Sequence, residues 1–415
     1  MKKHQPNNRH AVLVGLTGGI AAYKICDVVR GMGDRGIRSR VVMTPNATRF
    51  ITPLTLATLS GAPVLVDEFP ATPGATGGFD PLAHLSLADE CKAMLIAPAT
   101  ANTIAKLAHG IADNLLTSTA LAWKGPLLVA PAMNTRMYAS AATQDNLRIL
   151  RERGVREIEP DEGWLACGES GRGRLAAPER IITEVVRALA DAKGPLSGKR
   201  VVVTAGGTRE YLDPIRFVSN ASTGTLALMC AYQLALRGAA IDLIAGPGIR
   251  QDLLAELPAQ VTAVTTAEEM HRAVVDRTEG CDALLMLAAV ADFSPEQAGH
   301  KIKKEGREEL TLKLKRTTDI LAELAGNRTF VKAGVSVETE SPEERAKAKL
   351  EAKKLDAIIA VELEPARPPF GAGSIKAGVF TPRGTELETA EREKPELAER
   401  VAHLIVKLIS EKEKP

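Results

Sequence analysis

Four segments in the first half of this chain set hydroxyls, amides or glycines directly after apolar, β-rich runs. They are Thr17-Gly18-Gly19-Ile20-Ala21-Ala22-Tyr23-Lys24, Thr44-Pro45-Asn46, Ala97-Pro98-Ala99-Thr100-Ala101-Asn102 and Pro131-Ala132-Met133-Asn134. Small residues between a strand and a helix let backbone N–H groups approach an anion at the helix start. The first segment is not GxGxxG, so the dinucleotide fingerprint is absent. Its two glycines alone fit an ordinary βα turn equally well. Four such loops on one strand edge make a polar pocket for a mononucleotide-like ligand. Three single residues could add reactive groups: His84, Asn134 and Cys167, the last in the glycine-rich stretch 166–173. Taken singly, each has a plain structural reading as a satisfied histidine, a turn asparagine and a buried free thiol.

The elements that position these residues are legible as alternation. Short apolar runs at 11–16, 40–43, 93–97 and 127–130 alternate with helical patterns. Continuous apolar strands of this kind suit a parallel sheet covered by helices on both faces. At 186–199 helical periodicity gives way to Gly, Pro and Ser before a fresh strand at 200–204. The domains are therefore placed at 1–190 and 191–415. The second half repeats the logic with runs at 241–245, 283–289, 331–335 and 357–361, and its helices are more charged, especially over 338–354. Both halves read as open, mostly parallel α/β sheets, which bind ligands at the carboxyl ends of their strands.

Composition narrows the class. Hydrophobic residues at 45% and charged residues at 25% describe an ordinary globular chain rather than a disordered or fibrous one. Lys+Arg 53 against Asp+Glu 51 leaves a net charge of +2, too small to argue for nucleic acid. Five cysteines without a CxxC pair argue against a disulfide framework and a structural zinc site. The polar start MKKHQPNNRH lacks a signal-peptide core, and no apolar run is long enough to span a membrane. A cytoplasmic, multidomain, soluble protein is expected.

In order along the chain, TGGIAAYK, FITPLTL, APATANTIAKLAHGIADNLL, PAMNTRMY and ACGESGRGRL resemble the decarboxylase half of the bifunctional coenzyme A biosynthesis proteins. That family fuses phosphopantothenoylcysteine decarboxylase to phosphopantothenate–cysteine ligase. The resemblance implies a flavodoxin-like fold with FMN at Gly18, Gly19, Ile20, Ala21, Thr44, Thr100, Ala101 and Asn102, bound between subunits. A cysteine-derived carboxylate has no electron sink of its own, and oxidation of its thiol with FMN supplies one before CO2 leaves. His84 matches the family's active-site histidine. Asn134 matches the asparagine that holds the substrate carboxylate. Cys167, on a flap, matches the acid that protonates the enethiolate. Leu175 stands where the family usually has Met.

The second half resembles the ligase through Ala205-Gly206-Gly207-Thr208-Arg209-Glu210, the run Asp213–Asn220, the run Ala288–Phe293 and Lys301-Ile302-Lys303-Lys304. The implied reaction joins CTP and 4′-phosphopantothenate into an acyl-cytidylate, which the cysteine amine attacks. Such chemistry needs cations and a divalent metal at the triphosphate, with Mg2+ expected. Asn220 and Lys301 are the expected catalytic residues. The nucleotide is expected at Asp292, Lys301, Thr318, Asp319, Ile320, Leu321, Val335, Lys349 and Lys353; Lys349 and Lys353 fall at i, i+4 on one helix face. No metal ligands are assigned. The chain departs from the family pattern at Gly207, at Thr225 in place of a lysine, at Val335 in place of an aromatic, and at Val361-Glu362 in place of Asn-Asp. A bifunctional enzyme is expected, assembled as decarboxylase trimers joined by ligase dimers. Two alternatives accompany it: a decarboxylase with a degenerate ligase half, and a non-catalytic flavoprotein regulator.

Overall fold

The computed structural model describes residues 11–66, 82–165, 168–190, 194–255, 257–303, 309–363 and 373–413. The chain divides into two compact units, Met1–Asp191 and Ala192–Pro415. The first is built on β1 (Ala11–Leu16), β2 (Arg38–Met43), β3 (Val64–Leu65), β4 (Ala93–Ala99), β5 (Leu127–Pro131) and β6 (Arg156–Glu157). They form one parallel sheet in the order β3-β2-β1-β4-β5-β6. Without the two-residue edge strand β3 this is the 2-1-3-4-5 order of a flavodoxin-like sheet, as expected.

All six residues of β1 are buried, because helices cover both faces. Gly15 is there for the same reason. A Cβ on it would stand 2.3 Å from Leu116 Cδ1, so the helix Leu115–Ala122 can lie directly on the strand. That helix begins with a capping box between Asn114 and Thr117, which satisfies amides otherwise left open. An antiparallel hairpin of β7 (Asp161–Trp164) and β8 (Ser170–Arg174) stands apart from the sheet.

The second unit contains β9 (Arg200–Ala205), the hairpin β10 (Arg209–Tyr211) and β11 (Phe217–Ser219), β12 (Ala240–Ala245), β13 (Ala259–Ala263) and β14 (Ala283–Met286). The pair β15 (Phe293–Pro295) and β16 (Leu314–Arg316) follows, then β17 (Val331–Glu338), β18 (Ala357–Glu362), β19 (Ser374–Thr381) and β20 (Gly384–Glu393). Its main sheet runs β13-β12-β9-β14-β17-β18-β19-β20, parallel as far as β18 and antiparallel at β19 and β20. This is a Rossmann-like sheet with an antiparallel edge.

The apolar run 283–289 is strand only as far as Met286. Thr204 Oγ1 accepts from the amides of Leu287 (3.1 Å) and Ala288 (3.0 Å), which turns the chain off the sheet. The charged stretch expected at 338–354 is helical over Pro342–Ala352, with Pro in the first turn and Lys353 as C-cap. Among the described residues no helix is long and apolar enough to cross a membrane.

Candidate active sites

In the first unit the loops after β1, β2 and β4 are tied together at the carboxyl edge of the sheet. Thr17 Oγ1 donates to the Pro98 carbonyl (2.5 Å) and accepts from the Thr100 amide (3.0 Å), bridging the point where strand order reverses. The Thr44 amide donates to the Leu16 carbonyl at 2.9 Å. A Cβ on Gly18 would come 2.5 Å from Asn46 Cβ and 3.0 Å from its carbonyl carbon. Glycine is therefore a packing requirement at 18. At Gly19 the nearest atom would be Thr100 Cγ2, at an ordinary 3.7 Å. Thr100 also caps the helix Ala101–His109.

All eight residues expected at FMN thus fall on these neighbouring loops or in the first turns of the helices they lead into. None of them is acidic, and the short 3-10 turn Ile20–Lys24 has no side-chain cap of its own. Open amides, hydroxyls and the Asn102 carboxamide suit the phosphate and polar chain of a flavin mononucleotide. The cradle fits the cofactor.

The Ala132 amide donates to the Ala99 carbonyl at 3.1 Å, which sets the Asn134 loop beside the Thr100 loop. Asn134 caps the helix Thr135–Ala139: its Oδ1 accepts from the amides of Arg136 (2.8 Å) and Met137 (3.2 Å). Its Nδ2 donates to Glu169 Oε2 at 3.5 Å, and Arg136 holds Glu169 Oε1 at 2.5 Å. The β7–β8 hairpin is fastened here by Met133 N–H donating to the Gly173 carbonyl at 2.9 Å. A Cβ on Gly173 would meet the Met133 carbonyl oxygen at 2.3 Å, and one on Gly171 would meet Thr135 Oγ1 at 2.6 Å. The glycine-rich sequence is what lets the hairpin press on the asparagine loop. Cys167 lies outside the described residues. His84 is half-buried on the helix Ala83–Glu90.

In the second unit a cavity of about 490 Å³ opens over the carboxyl ends of β14, β17 and β18. Asn220, Asp292, Thr318, Asp319, Ile320, Leu321, Val335, Lys349 and Lys353 all line it. Lys301 is not among the lining residues. It is exposed, next to Ile302, whose amide donates to Asp213 Oδ2 at 3.0 Å. The cavity loops are hung on buried threonines and on Asn220. Thr208 Oγ1 accepts from the Ala291 amide at 3.0 Å, and Asn220 Nδ2 donates to the Val290 carbonyl at 3.1 Å. Gly207 is fixed by close approach, since its Cβ would lie 2.7 Å from the Asn220 carbonyl oxygen.

The cations are held by partners. Lys353 pairs with Asp319 at 2.9 Å, and Lys349 with Glu338 at 2.6 Å and Ser336 Oγ at 3.0 Å. Burial pushes the carboxyls of Asp319 and Glu338 up. Hydrogen bonds outweigh it, from Lys353 and the Ala322 amide at the first and from Lys349 and Ser336 at the second, and both carboxyls end below their ordinary values. Asp292 is exposed in the cavity wall, with its carbonyl accepting from Thr317 N–H at 2.9 Å. Among the described residues no cluster of three His, Cys, Asp or Glu side chains could hold a metal. The cavity also contains Arg316 and Lys394, which a reading of the sequence passes over as charges in solvated stretches. No local signal separates them from their exposed neighbours.

Two family models divide the chain. The flavoprotein model matches residues 1–190, and the model of the DNA/pantothenate metabolism flavoprotein C-terminal domain matches residues 196–409. The coenzyme A biosynthesis bifunctional protein CoaBC of Bacillus subtilis is 40% identical over 385 residues, covering 92% of this chain and 93% of its own. The chain belongs to this family. The CoaBC protein of Mycobacterium tuberculosis is 37% identical over 414 residues, 96% of this chain and 97% of its own. Among solved structures, a PPC decarboxylase mutant complexed with pantothenoylaminoethenethiol is 34% identical, with a TM-score of 0.39, over 42% of this chain and 96% of its own. The C-terminal domain of a CoaBC protein is 26% identical, with a TM-score of 0.42, over 53% of this chain and all of its own. The chain is accordingly a bifunctional flavoprotein of coenzyme A biosynthesis, a phosphopantothenoylcysteine decarboxylase and a phosphopantothenate–cysteine ligase. A decarboxylase with a degenerate ligase half, or a non-catalytic regulator, is not favoured.

Proposed function

We propose that the second unit, 191–415, ligates cysteine to 4′-phosphopantothenate at the expense of CTP, and that the first, 1–190, decarboxylates the product to 4′-phosphopantetheine. The observation that carries the ligase assignment is one cavity lined by eight of the residues expected at the nucleotide, Asp292, Thr318, Asp319, Ile320, Leu321, Val335, Lys349 and Lys353, together with Asn220. Lys349 and Lys353 face the triphosphate and exchange their carboxylate partners for phosphate oxygens. Asp292 would contact the nucleotide or a Mg2+ ion brought in with its phosphates, since Mg2+ binds through one or two carboxylates plus the substrate. Lys301 and Asn220 serve the activated carboxylate.

In the first unit Gly18–Ala21, Thr44 and Thr100–Asn102 hold FMN, whose chemistry is the reversible oxidation of the substrate's cysteine thiol. Asn134 spends its oxygen on a helix cap and keeps its NH2 group for the substrate carboxylate. The Glu169 carboxylate at 3.5 Å from that group supports this polarity. His84 belongs to the same site, and the Cys167 thiol delivers the proton that completes the product. Cytoplasmic location and assembly into decarboxylase trimers joined by ligase dimers complete the proposal.

Two substitutions separate the halves. Asp292→Asn should lower CTP-dependent pyrophosphate release by on the order of 10²-fold or more, while CO2 release from preformed phosphopantothenoylcysteine stays near the parent rate. Asn134→Ala should do the reverse. Parallel loss of both activities in both variants would refute the assignment of separate sites.

A further inference from the structure

Glu169 stands immediately before β8, and its carbonyl accepts from the Leu165 amide at 2.9 Å, which closes the β7–β8 hairpin. Its side chain reaches the loop that carries Asn134. One carboxylate oxygen, Oε2, accepts from Asn134 Nδ2 at 3.5 Å, and the other, Oε1, pairs with the Arg136 guanidinium at 2.5 Å. The backbone decides which end of the Asn134 amide this is. Oδ1 is held by the amides of Arg136 and Met137, so the group turned toward Glu169 is the NH2. The protein thus sets one of its own carboxylates against the amide group to which the substrate carboxylate is assigned. Glu169 is not locked there. The Arg136 and Glu169 side chains are 82% and 38% exposed, so theirs is a surface ion pair, worth little and readily exchanged. The 3.5 Å contact with Asn134 lies at the weak end of hydrogen bonding.

Two carboxylates do not share one NH2 group without cost. Unit charges about 4 Å apart repel, even in water-like surroundings, by enough to weaken binding roughly 5-fold. Substrate therefore has to turn Glu169 away before its own carboxylate can reach Asn134. The product has lost that carboxylate as CO2 and meets no such competition. We propose that Glu169 is an internal competitor for the substrate carboxylate, occupying the Asn134 NH2 group in the free and product-bound protein and yielding it only to substrate. The inference rests on the reading of Asn134 as the residue that holds the substrate carboxylate. It also gives the contact a use in the reaction. A carboxylate bound tightly before it leaves deepens the ground state and slows its own loss, and a competitor on the same amide offsets that.

The test uses the full-length protein with FMN bound and reduced anaerobically, so that thiol oxidation cannot begin and binding is read without turnover. Titration calorimetry gives the Kd of 4′-phosphopantothenoylcysteine and of 4′-phosphopantetheine for the parent, Glu169→Gln, Asn134→Ala and the double variant. Glu169→Gln keeps the shape and removes the charge. Its Kd for the substrate should fall roughly 5-fold or more, while that for the product stays near the parent value. A purely structural role for Glu169 would instead raise both. Asn134→Ala should weaken substrate binding and cancel the gain from Glu169→Gln in the double variant. Unchanged substrate binding in Asn134→Ala would overturn the assignment of Asn134, and the proposal with it. Weakened binding in Asn134→Ala with no gain in Glu169→Gln would overturn the proposal alone. So would equal shifts for substrate and product in Glu169→Gln. Retained flavin absorbance reports an intact first unit, and Glu169→Ala supplies the same comparison should Glu169→Gln lose its flavin.

Discussion

Substitution of Gly18 by alanine is the sharpest test of the flavin cradle, because Gly19 beside it provides a matched control. A Cβ at 18 would stand 2.5 Å from Asn46 Cβ and 3.0 Å from its carbonyl carbon. Carbon atoms pack at about 3.5–4.0 Å, so the Asn46 backbone would have to retreat by about 1–1.5 Å. That movement displaces the loop carrying Thr44, Pro45 and Asn46 from the Thr17–Thr100 bridge. Overpacking of this size costs about 1–3 kcal/mol, which corresponds to roughly a 5- to 150-fold rise in the Kd of FMN if the strain is carried by the holo conformation. Gly19→Ala meets only Thr100 Cγ2 at 3.7 Å, and Gly19 has extended backbone (φ −148°, ψ 153°) that alanine adopts freely. The assay is FMN titration of flavin-stripped protein followed by flavin fluorescence, with the ligase rate as a measure of intact folding. Gly18→Ala should bind FMN weakly and Gly19→Ala close to the parent. Equal affinities for all three proteins would refute the steric reasoning. Equal losses in both variants would show that the two glycines are needed for contact with the cofactor itself rather than for loop packing.

Two other outcomes are expected. Cys167→Ser should consume substrate and release CO2 but accumulate the enethiol and bleached flavin, because a hydroxyl is a far weaker acid than a thiol; normal yield of 4′-phosphopantetheine would place the proton donor elsewhere. Asp213 is held down to about 2 from its usual 3.8: burial pushes it up, but the amides of Ile215, Ile302 and Arg216 and the Arg216 guanidinium outweigh that. A depressed carboxyl stabilises the folded state above its unfolded pKa and loses that contribution as pH falls through the folded value. Hydrogen exchange in the β10–β11 hairpin and around Ile302 should therefore accelerate between about pH 4 and pH 2. Asp213→Asn should already exchange fast at neutral pH, and identical profiles for the two proteins would contradict the assignment.

Much of the first unit was legible because its strands are buried on both faces. A run such as AVLVGL can then be read from composition alone, and the polar loops beyond each run point to the ligand edge. The hairpins were not legible. DEGW and SGRGR have no apolar alternation, and β20 (GTELETAERE) is an edge strand whose charges face solvent. Pairing there is decided by tertiary contacts, such as the close approach of Gly171 to the Thr135 side chain and of Gly173 to the Met133 backbone.

The ligase cavity was legible where a residue follows a strand, as Asp292 does, and on the helix face that carries Lys349. It was not legible at Lys394, whose charge reads as solvated although the residue is buried and lines the cavity. Lys301 shows the converse. Its resemblance to a catalytic position is specific, but its segment is anchored through Ile302 to Asp213, and Lys301 is not among the residues that line the cavity. The loss of a lysine at Thr225 likewise looks decisive in sequence. In the structure Thr225 shares a cavity with Arg316, Lys349, Lys353 and Lys394, so the site keeps a cationic lining.

The most direct measurement supplies one purified protein with 4′-phosphopantothenate, cysteine, CTP and Mg2+, and follows pyrophosphate, CO2 and 4′-phosphopantetheine together. The account predicts a yellow protein that releases pyrophosphate and CO2 in equal amounts, with CO2 lagging, and accumulates 4′-phosphopantetheine. Decarboxylation of preformed phosphopantothenoylcysteine without pyrophosphate release from any nucleoside triphosphate would contradict it.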